Sequence, residues 1–329
     1  MSQLIELLID ADAIPDAKLE QWQSGYGADR YLKNCRSEEI KIRIASIWNN
    51  IIWPARERQI ELINPEMDGP GLYEKLYHCY SELNMRREHL EVIQSKGWPS
   101  YLRVCQRFPE GLPRPDGALV RFNTKERARD FMRGHIRVGP ASSYDNPSLC
   151  PAIRDKELRF EMKLLNSQLM LKIQNEKTGQ YDHAIKLSTA SMNLTSESDY
   201  FVCCFTDRIE YRYFDDFSHK VDDVFVPSDA CVVIRDVPWF EGMLLEAVSN
   251  LKGLKGTLVG LNYYDPYVSS RDMGDFGHHK DVSRYKDISY AYQFERRFVW
   301  WPKTPTRKLE AFFVEIGSLE GRAELIELD

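Results

Sequence analysis

Three prolines fall within Phe108-Pro-Glu-Gly-Leu-Pro-Arg-Pro-Asp-Gly117. Each lacks a backbone donor and biases its predecessor towards extended backbone, so no helix can run through this stretch. The character of the chain changes across it. Before it, apolar residues recur at helical spacing; after it, short β-branched and aromatic runs alternate with turn-forming residues. The pattern predicts an α+β protein: a helical region over 1–107, a proline-rich linker over 108–117 and a mixed domain over 118–329. A linker of this composition implies two separable cores.

In the helical region, Ser37-Glu-Glu-Ile40 reads as a helix start. Ile40, Ile42, Ile44, Ile47, Trp48, Ile51 and Ile52 supply its apolar positions, and Pro54 predicts its end near Trp53. A second helix is predicted after Gly71, with Leu72, Leu76, Tyr77, Tyr80, Leu83, Leu90 and Ile93 on one face and closure at Gly97 and Pro99. Arg86, Arg87, Glu88 and His89 read as a solvated patch.

Beyond the linker, strands are expected at Ala118–Phe122, Ile136–Val138, Arg159–Ile173 (a strand or hairpin, with a turn at 175–179), Tyr200–Phe205, Ala230–Arg235, Thr257–Tyr264 and Leu309–Ile316. Helices are expected after Thr124 and over Trp239–Leu251, followed by a charged C-terminal end. Arg271–His279, polar and glycine-containing, reads as a loop. The richest segment is Tyr290–Trp301, expected to be one strand ended by Pro302. Alternation would place Ala291, Gln293, Glu295 and Arg297 on one face, with an aromatic row behind them.

Composition narrows the function. Of 329 residues, 43% are hydrophobic and the net charge is −6, which suits a globular chain and argues against a globally basic nucleic-acid binder. No apolar run is long enough to span a bilayer, and Met1–Asp10 lacks the pattern of a secretory leader. The seven cysteines follow no zinc or disulfide spacing, which predicts reduced, buried thiols and a cytoplasmic protein without membrane association.

The chemistry-bearing residues lie on separate predicted elements. Arg121 sits in the first strand after the linker, Ser142, Ser143 and Tyr144 follow the second, and Gln293 and Glu295 lie on the late strand. Arg121, Lys125, Arg127, Arg129, Arg133 and Arg137 gather on the first strand–helix–strand unit and suit phosphate contact or a solvated face. Tyr211–Phe217 interleaves aromatics with charge, as base stacking or a half-buried turn would require. His219, Asp275, His278, His279 and Asp281 carry side chains that can ligate a metal, but adjacent histidines rarely converge on one ion, so no metal is expected. Asp155 and Glu157 read as surface charge near the serine loop.

The order arginine, Ser-Ser, Gln-x-Glu resembles that of ADP-ribosyltransferases, which transfer ADP-ribose from NAD within a two-sheet α/β fold. Residues 118–301 also resemble a bacterial domain family of unknown function found in abortive-infection and phage-defence proteins. That resemblance rests on Gly134–Pro147, Phe201–Thr206 and Tyr290–Trp300. Asp145-Asn146-Pro147 inverts that family's Asn-Asp order, Thr206 replaces a usual serine, and Arg121 stands where a histidine-containing strand is common. Together the resemblances imply an NAD-dependent transferase acting as a toxin or anti-phage effector. NAD would be its substrate and a protein or RNA its acceptor. They extend to a restraining antitoxin, as in toxin–antitoxin–chaperone modules. Glu295 would stabilise an oxocarbenium-like centre. Gln293 would orient ribose or acceptor, Arg121 would bind phosphate, and Ser142, Ser143 and Tyr144 would shape the nicotinamide pocket. The competing readings are a non-catalytic interaction or sensor protein, with Glu295 merely ion-paired, and a metal-dependent nuclease using Asp215, Asp216, Asp222 and Asp223.

Overall fold

A computed structural model describes residues 14–55, 60–62, 71–88, 97–164, 169–171, 178–180, 185–187, 190–221, 224–268 and 282–329. The Ser37–Ile51 helix opens with the Arg36 N–H donating to the Glu39 carboxylate at 3.0 Å. Ile40, Ile44, Ile47, Trp48 and Ile51 form its buried face, whereas Ile42 is 64% exposed and takes no part in the core. The helix gives way to strand β1 (Ile52–Pro54), which pairs antiparallel with β2 (Ile60–Leu62). The helix after Gly71 spans Leu72–Met85 and packs on the first.

Arg86 departs from the expected solvated patch. Its guanidinium donates to Glu82 and to the carbonyls of Leu32, Lys33 and Cys35, tying the end of the Leu72–Met85 helix to the Leu32–Cys35 stretch. Glu88 accepts from Ser37 Oγ at 2.6 Å. His89, Leu90 and Ile93 lie outside the described residues.

After the linker come β3 (Leu119–Asn123), the Lys125–Met132 helix capped by Thr124, and β4 (His135–Pro140). Next are β5 (Arg159–Leu164), β6 (Leu169–Leu171), β7 (Ile185–Leu187) and β8 (Ala190–Thr195), in which β5 pairs β8 and β6 pairs β7. Then follow β9 (Phe201–Thr206), β10 (His219–Val221), β11 (Val224–Val226) and β12 (Ala230–Ile234). The Val237–Lys252 helix starts at its Asp236 cap and stops at Gly253, whose φ of 63° a side chain would strain. The predicted Thr257–Tyr264 strand is two strands, β13 (Gly256–Gly260) and β14 (Asn262–Tyr264). The last are β15 (Tyr267–Val268), β16 (Tyr285–Asp287), β17 (Glu295–Trp300), β18 (Phe312–Glu315) and β19 (Ala323–Glu327). The charged C-terminal end is thus an edge strand on β12.

The protein is mixed α plus β around an antiparallel sheet ordered β13-β17-β9-β3-β12-β19, with β18-β4 joined to the same β9. One hydrophobic cluster lies between this sheet and the Val237–Lys252 helix, centred on Phe205, Phe240, Phe298 and Trp300. On the other side, Trp53, Tyr101 and Val104 from before the linker pack with Val120, Tyr213, Phe214 and Val233 from after it. The expected separation of cores therefore does not occur at 108–117. Polar contacts also cross: Asn50 Oδ1 accepts the Tyr292 N–H at 2.7 Å, and Arg212 donates to the Asn49 carbonyl at 2.6 Å.

Candidate functional site

The site begins with a strand pairing that the sequence does not announce. On one edge, β9 pairs continuously with β17 from Phe201 to Thr206. Its other edge is shared: Thr206 faces Val120 of β3, while Val202 and Phe201 face Gly139 and Pro140 of β4. Cys203, Cys204 and Phe205 have no strand partner there. The splayed β3 and β4 open a cavity of about 730 Å³ beside the uncovered edge. Phe205 lines it from one face of β9, and Cys204 and Thr206 from the other.

Arg121 reaches across this gap from β3. Its Nη1 donates to the Cys204 carbonyl and to Cys203 Sγ, both at 3.0 Å, and the guanidinium lies 5.4 Å from the Phe205 ring centre. All these partners are uncharged. Arg127 and Arg137 line the same cavity. Neither they nor Arg121 has a carboxylate within 4.0 Å among the described residues. The other basic residues of this unit differ: Arg129 makes a bidentate pair with Glu327, and Arg133 lies 3.7 Å from Asp130.

A buried ionic group forms another wall. The expected continuous strand is broken here: Ile288–Gln293 is a 3-10 turn, Phe294 sits at φ 44°, and only Glu295–Trp300 is strand. The left-handed residue cancels simple alternation, yet Gln293 and Glu295 still converge because Lys286 of β16 bridges them. Its Nζ lies 3.0 Å from Gln293 Oε1 and 2.6 Å from Glu295 Oε2. Glu295 Oε1 accepts from Arg297 Nε at 2.9 Å. Arg297 is fully buried and forks onto Glu157, with Nη2–Oε1 at 3.1 Å. Lys286 is also 3.7 Å from Asp155 and 4.0 Å from Glu157.

Three carboxylates thus face two cations. Burial raises the Glu295 pKa, but Arg297 and Lys286 outweigh it and hold the carboxyl well below its usual range. Asp155 goes the other way, pushed up to about 7 by burial and by Glu157, with Lys286 and Arg297 opposing.

Arg121, Ser143, Tyr144, Gln293 and Glu295 all line the one cavity. Ser143 Oγ donates to the Pro140 carbonyl at 2.6 Å, and the Cys204 thiol lies 3.9 Å from Tyr144 Oη. Contrary to expectation, Ser142 does not line the cavity: it is the second residue of the 3-10 turn Ala141–Tyr144, its hydroxyl and N–H both bound to Asp199, at 2.5 and 3.1 Å. Asp155 and Glu157 are not surface charge, since Glu157 is 6% exposed within the ionic wall. Tyr211, Tyr213 and Phe214 are buried in the core and offer no stacking platform. Asp215 accepts the Ser100 N–H and Asp216 pairs with Arg212. Asp222, Asp223, Asp275, His278, His279 and Asp281 lie outside the described residues. Among the described residues no group of three or more His, Cys, Asp or Glu is placed to hold a metal ion, and no helix is long and apolar enough to cross a membrane.

Sequence reasoning missed Lys286, which carries no motif and follows an uninformative Arg-Tyr pair. Arg127 and Arg137 were legible only as members of a larger basic group. A scan against family models and searches of curated proteins and solved structures found no match to this chain.

Proposed function

We propose that the chain cleaves the nicotinamide–ribose bond of NAD and transfers ADP-ribose to a protein or RNA acceptor, as a toxin or defence effector held in check by a partner. The observation that carries this reading is the polarity of the cavity. Guanidiniums without carboxylate partners line one part, and a buried carboxylate beside an amide lines another. A dinucleotide has the matching order: an anionic diphosphate, then a ribose that gains positive charge as its glycosidic bond breaks. The split of β3 and β4 around β9 supports an ADP-ribosyltransferase-like two-sheet arrangement.

In this reading Arg121 holds the diphosphate, already oriented by neutral acceptors that leave its charge uncancelled. Ser143 and Tyr144 border the nicotinamide. Glu295, kept ionised by Lys286 and Arg297, faces the developing charge on ribose. Gln293 is fixed at both ends, its Nε2 donating to the Ala152 carbonyl at 2.6 Å, so it positions rather than reacts.

One observation favours binding without turnover: both Glu295 oxygens are already in ion pairs, which weakens their pull on a cationic centre. Nicotinamide release from NAD by the full chain decides between the two. Release that falls at least about tenfold in Arg121→Gln supports the transferase. NAD binding with no release in the presence of candidate acceptors supports the binder, and absence of NAD binding overturns both.

A further inference from the structure

Arg127 stands out within the cavity wall because its surroundings orient it without neutralising it. Ser228 Oγ donates to the Phe217 carbonyl at 2.6 Å. That leaves the hydroxyl oxygen to accept from His219 Nε2–H across 3.4 Å. His219 Nδ1 then accepts from Arg127 Nη1, also at 3.4 Å. The chain of donors is satisfied throughout only when the imidazole is neutral with its proton on Nε2. Burial, then the charges of Arg127 and Arg121, disfavour the imidazolium, while Asp229 partly opposes them.

Arg121 is held in the same manner by a thiol and a carbonyl. Arg137, the third guanidinium on the wall, makes no hydrogen bond among the described residues, and its Nη1 lies beside Gly139. The remaining charges around the cavity are engaged: Glu157 and Glu295 with Arg297 and Lys286, and Asp130 with Arg133 and His135. Three positive charges are therefore uncompensated where a plain diphosphate brings about two negative ones.

The dimensions of the cavity favour a small ligand over a nucleic-acid strand. The cavity is of a size that encloses nucleotide-sized ligands. Beside it, Glu315 is 80% exposed and lies 3.4 Å from His135 of the cavity wall, so a continuing polyanion would meet an acidic group.

We propose that Arg127, positioned by His219 and accompanied by Arg137, is a second anion subsite that takes a phosphate group beyond the diphosphate assigned to Arg121. The ligand of the cavity is then a nucleotide with three phosphates, two joined and one separate, as in the 2′-phosphorylated form of NAD. This deepens the functional reading above and rests on it for the nucleotide. The subsite itself rests only on the cavity wall.

Calorimetry on the full chain at fixed low salt tests it, with NAD, its 2′-phosphorylated form, pyrophosphate and tripolyphosphate as probes. The 2′-phosphorylated dinucleotide is expected to bind at least about tenfold more tightly than NAD. Arg127→Gln should abolish that preference while changing NAD affinity by less than about twofold. His219→Phe, which removes the acceptor, should also weaken the preference, and His219→Asn, which keeps an oxygen in place of Nδ1, should restore part of it. Equal affinity for the two dinucleotides, or a preference that survives Arg127→Gln, overturns the subsite. If neither dinucleotide binds, the NAD reading fails by itself and the inorganic probes decide. Tighter binding of tripolyphosphate than of pyrophosphate, lost in Arg127→Gln, upholds the subsite, and no such difference overturns it.

Discussion

Glu295→Gln removes one negative charge from the buried group of Asp155, Glu157, Lys286, Glu295 and Arg297 while nearly preserving shape. Stripping one partner from a buried pair costs about 3–5 kcal/mol when the other charge is stranded. Neither cation is stranded here. Arg297 keeps its fork on Glu157, and Lys286 keeps Asp155 at 3.7 Å and the Gln293 oxygen at 3.0 Å. The new amide oxygen still accepts one hydrogen bond. The expected stability loss is therefore about 2–3 kcal/mol, or roughly 3–4 °C in Tm for a chain of this length. If Glu295 stabilises the oxocarbenium-like centre, turnover should fall by about 10²–10³, equivalent to roughly 3–4 kcal/mol of barrier. NAD affinity should change much less, because the positive charge develops only as the bond breaks.

Destabilisation must be separated from lost chemistry, and Glu82→Gln provides the control. Glu82 is also fully buried, bound by Arg30, Arg86 and Tyr26 in the helical region. That variant should lose comparable stability and, assayed well below its melting point, release nicotinamide like the wild type. An active wild type whose Glu295→Gln variant turns over within about threefold would refute the catalytic role. A Tm unchanged within about 1 °C would refute the energetic account of the ionic wall.

Three further outcomes are expected. Asp155, whose folded pKa is raised by burial and by Glu157, binds its proton more tightly in the folded state, so its own contribution to stability should decline as pH rises from about 4 towards 7, against a rise from His219, whose imidazolium the fold disfavours. Asp155→Asn should flatten that slope in chemical denaturation and be more stable than wild type at pH 8, by about 1 kcal/mol or more; an unchanged slope would refute the assignment. Gly134→Ala should cost more than about 3 kcal/mol, measured by urea unfolding. Gly134 has φ 94°, and an added Cβ would stand 2.1 Å from the Gly317 carbonyl oxygen. A fragment starting at residue 108 should aggregate or unfold non-cooperatively, because it bares Val120, Tyr213 and Phe214 where Trp53, Tyr101 and Val104 pack; a soluble fragment with a sharp thermal transition would show that the shared cluster is dispensable.

Local chemistry determined much of this protein before any tertiary contact. The prolines over 108–117 marked the change from helices to strands, and Thr124, Asp236 and Gly253 bounded their helices through hydrogen bonds and a positive φ that need only neighbouring residues. The run Phe201–Thr206 could hardly be anything but a buried strand. The order arginine, Ser-Ser, Gln-x-Glu likewise singled out Arg121, Ser142, Ser143, Gln293 and Glu295, with Tyr144 beside them, and the fold brings all of these but Ser142 to one cavity. Only the tertiary structure decided how they meet. A strand has two edges, and nothing in β9 alone says that one of them is divided between β3 and β4. The same limit hid Lys286, whose meaning depends on carboxylates from β17 and from the segment before β5. It also hid the difference between Arg129, neutralised by Glu327 more than a hundred residues away, and Arg127, oriented by a neutral histidine. Periodicity and capping act over a few residues and can be read along the chain. Charge compensation and desolvation depend on distance in space, so ion pairing and the uncompensated cavity wall exist only once the sheet has closed around them.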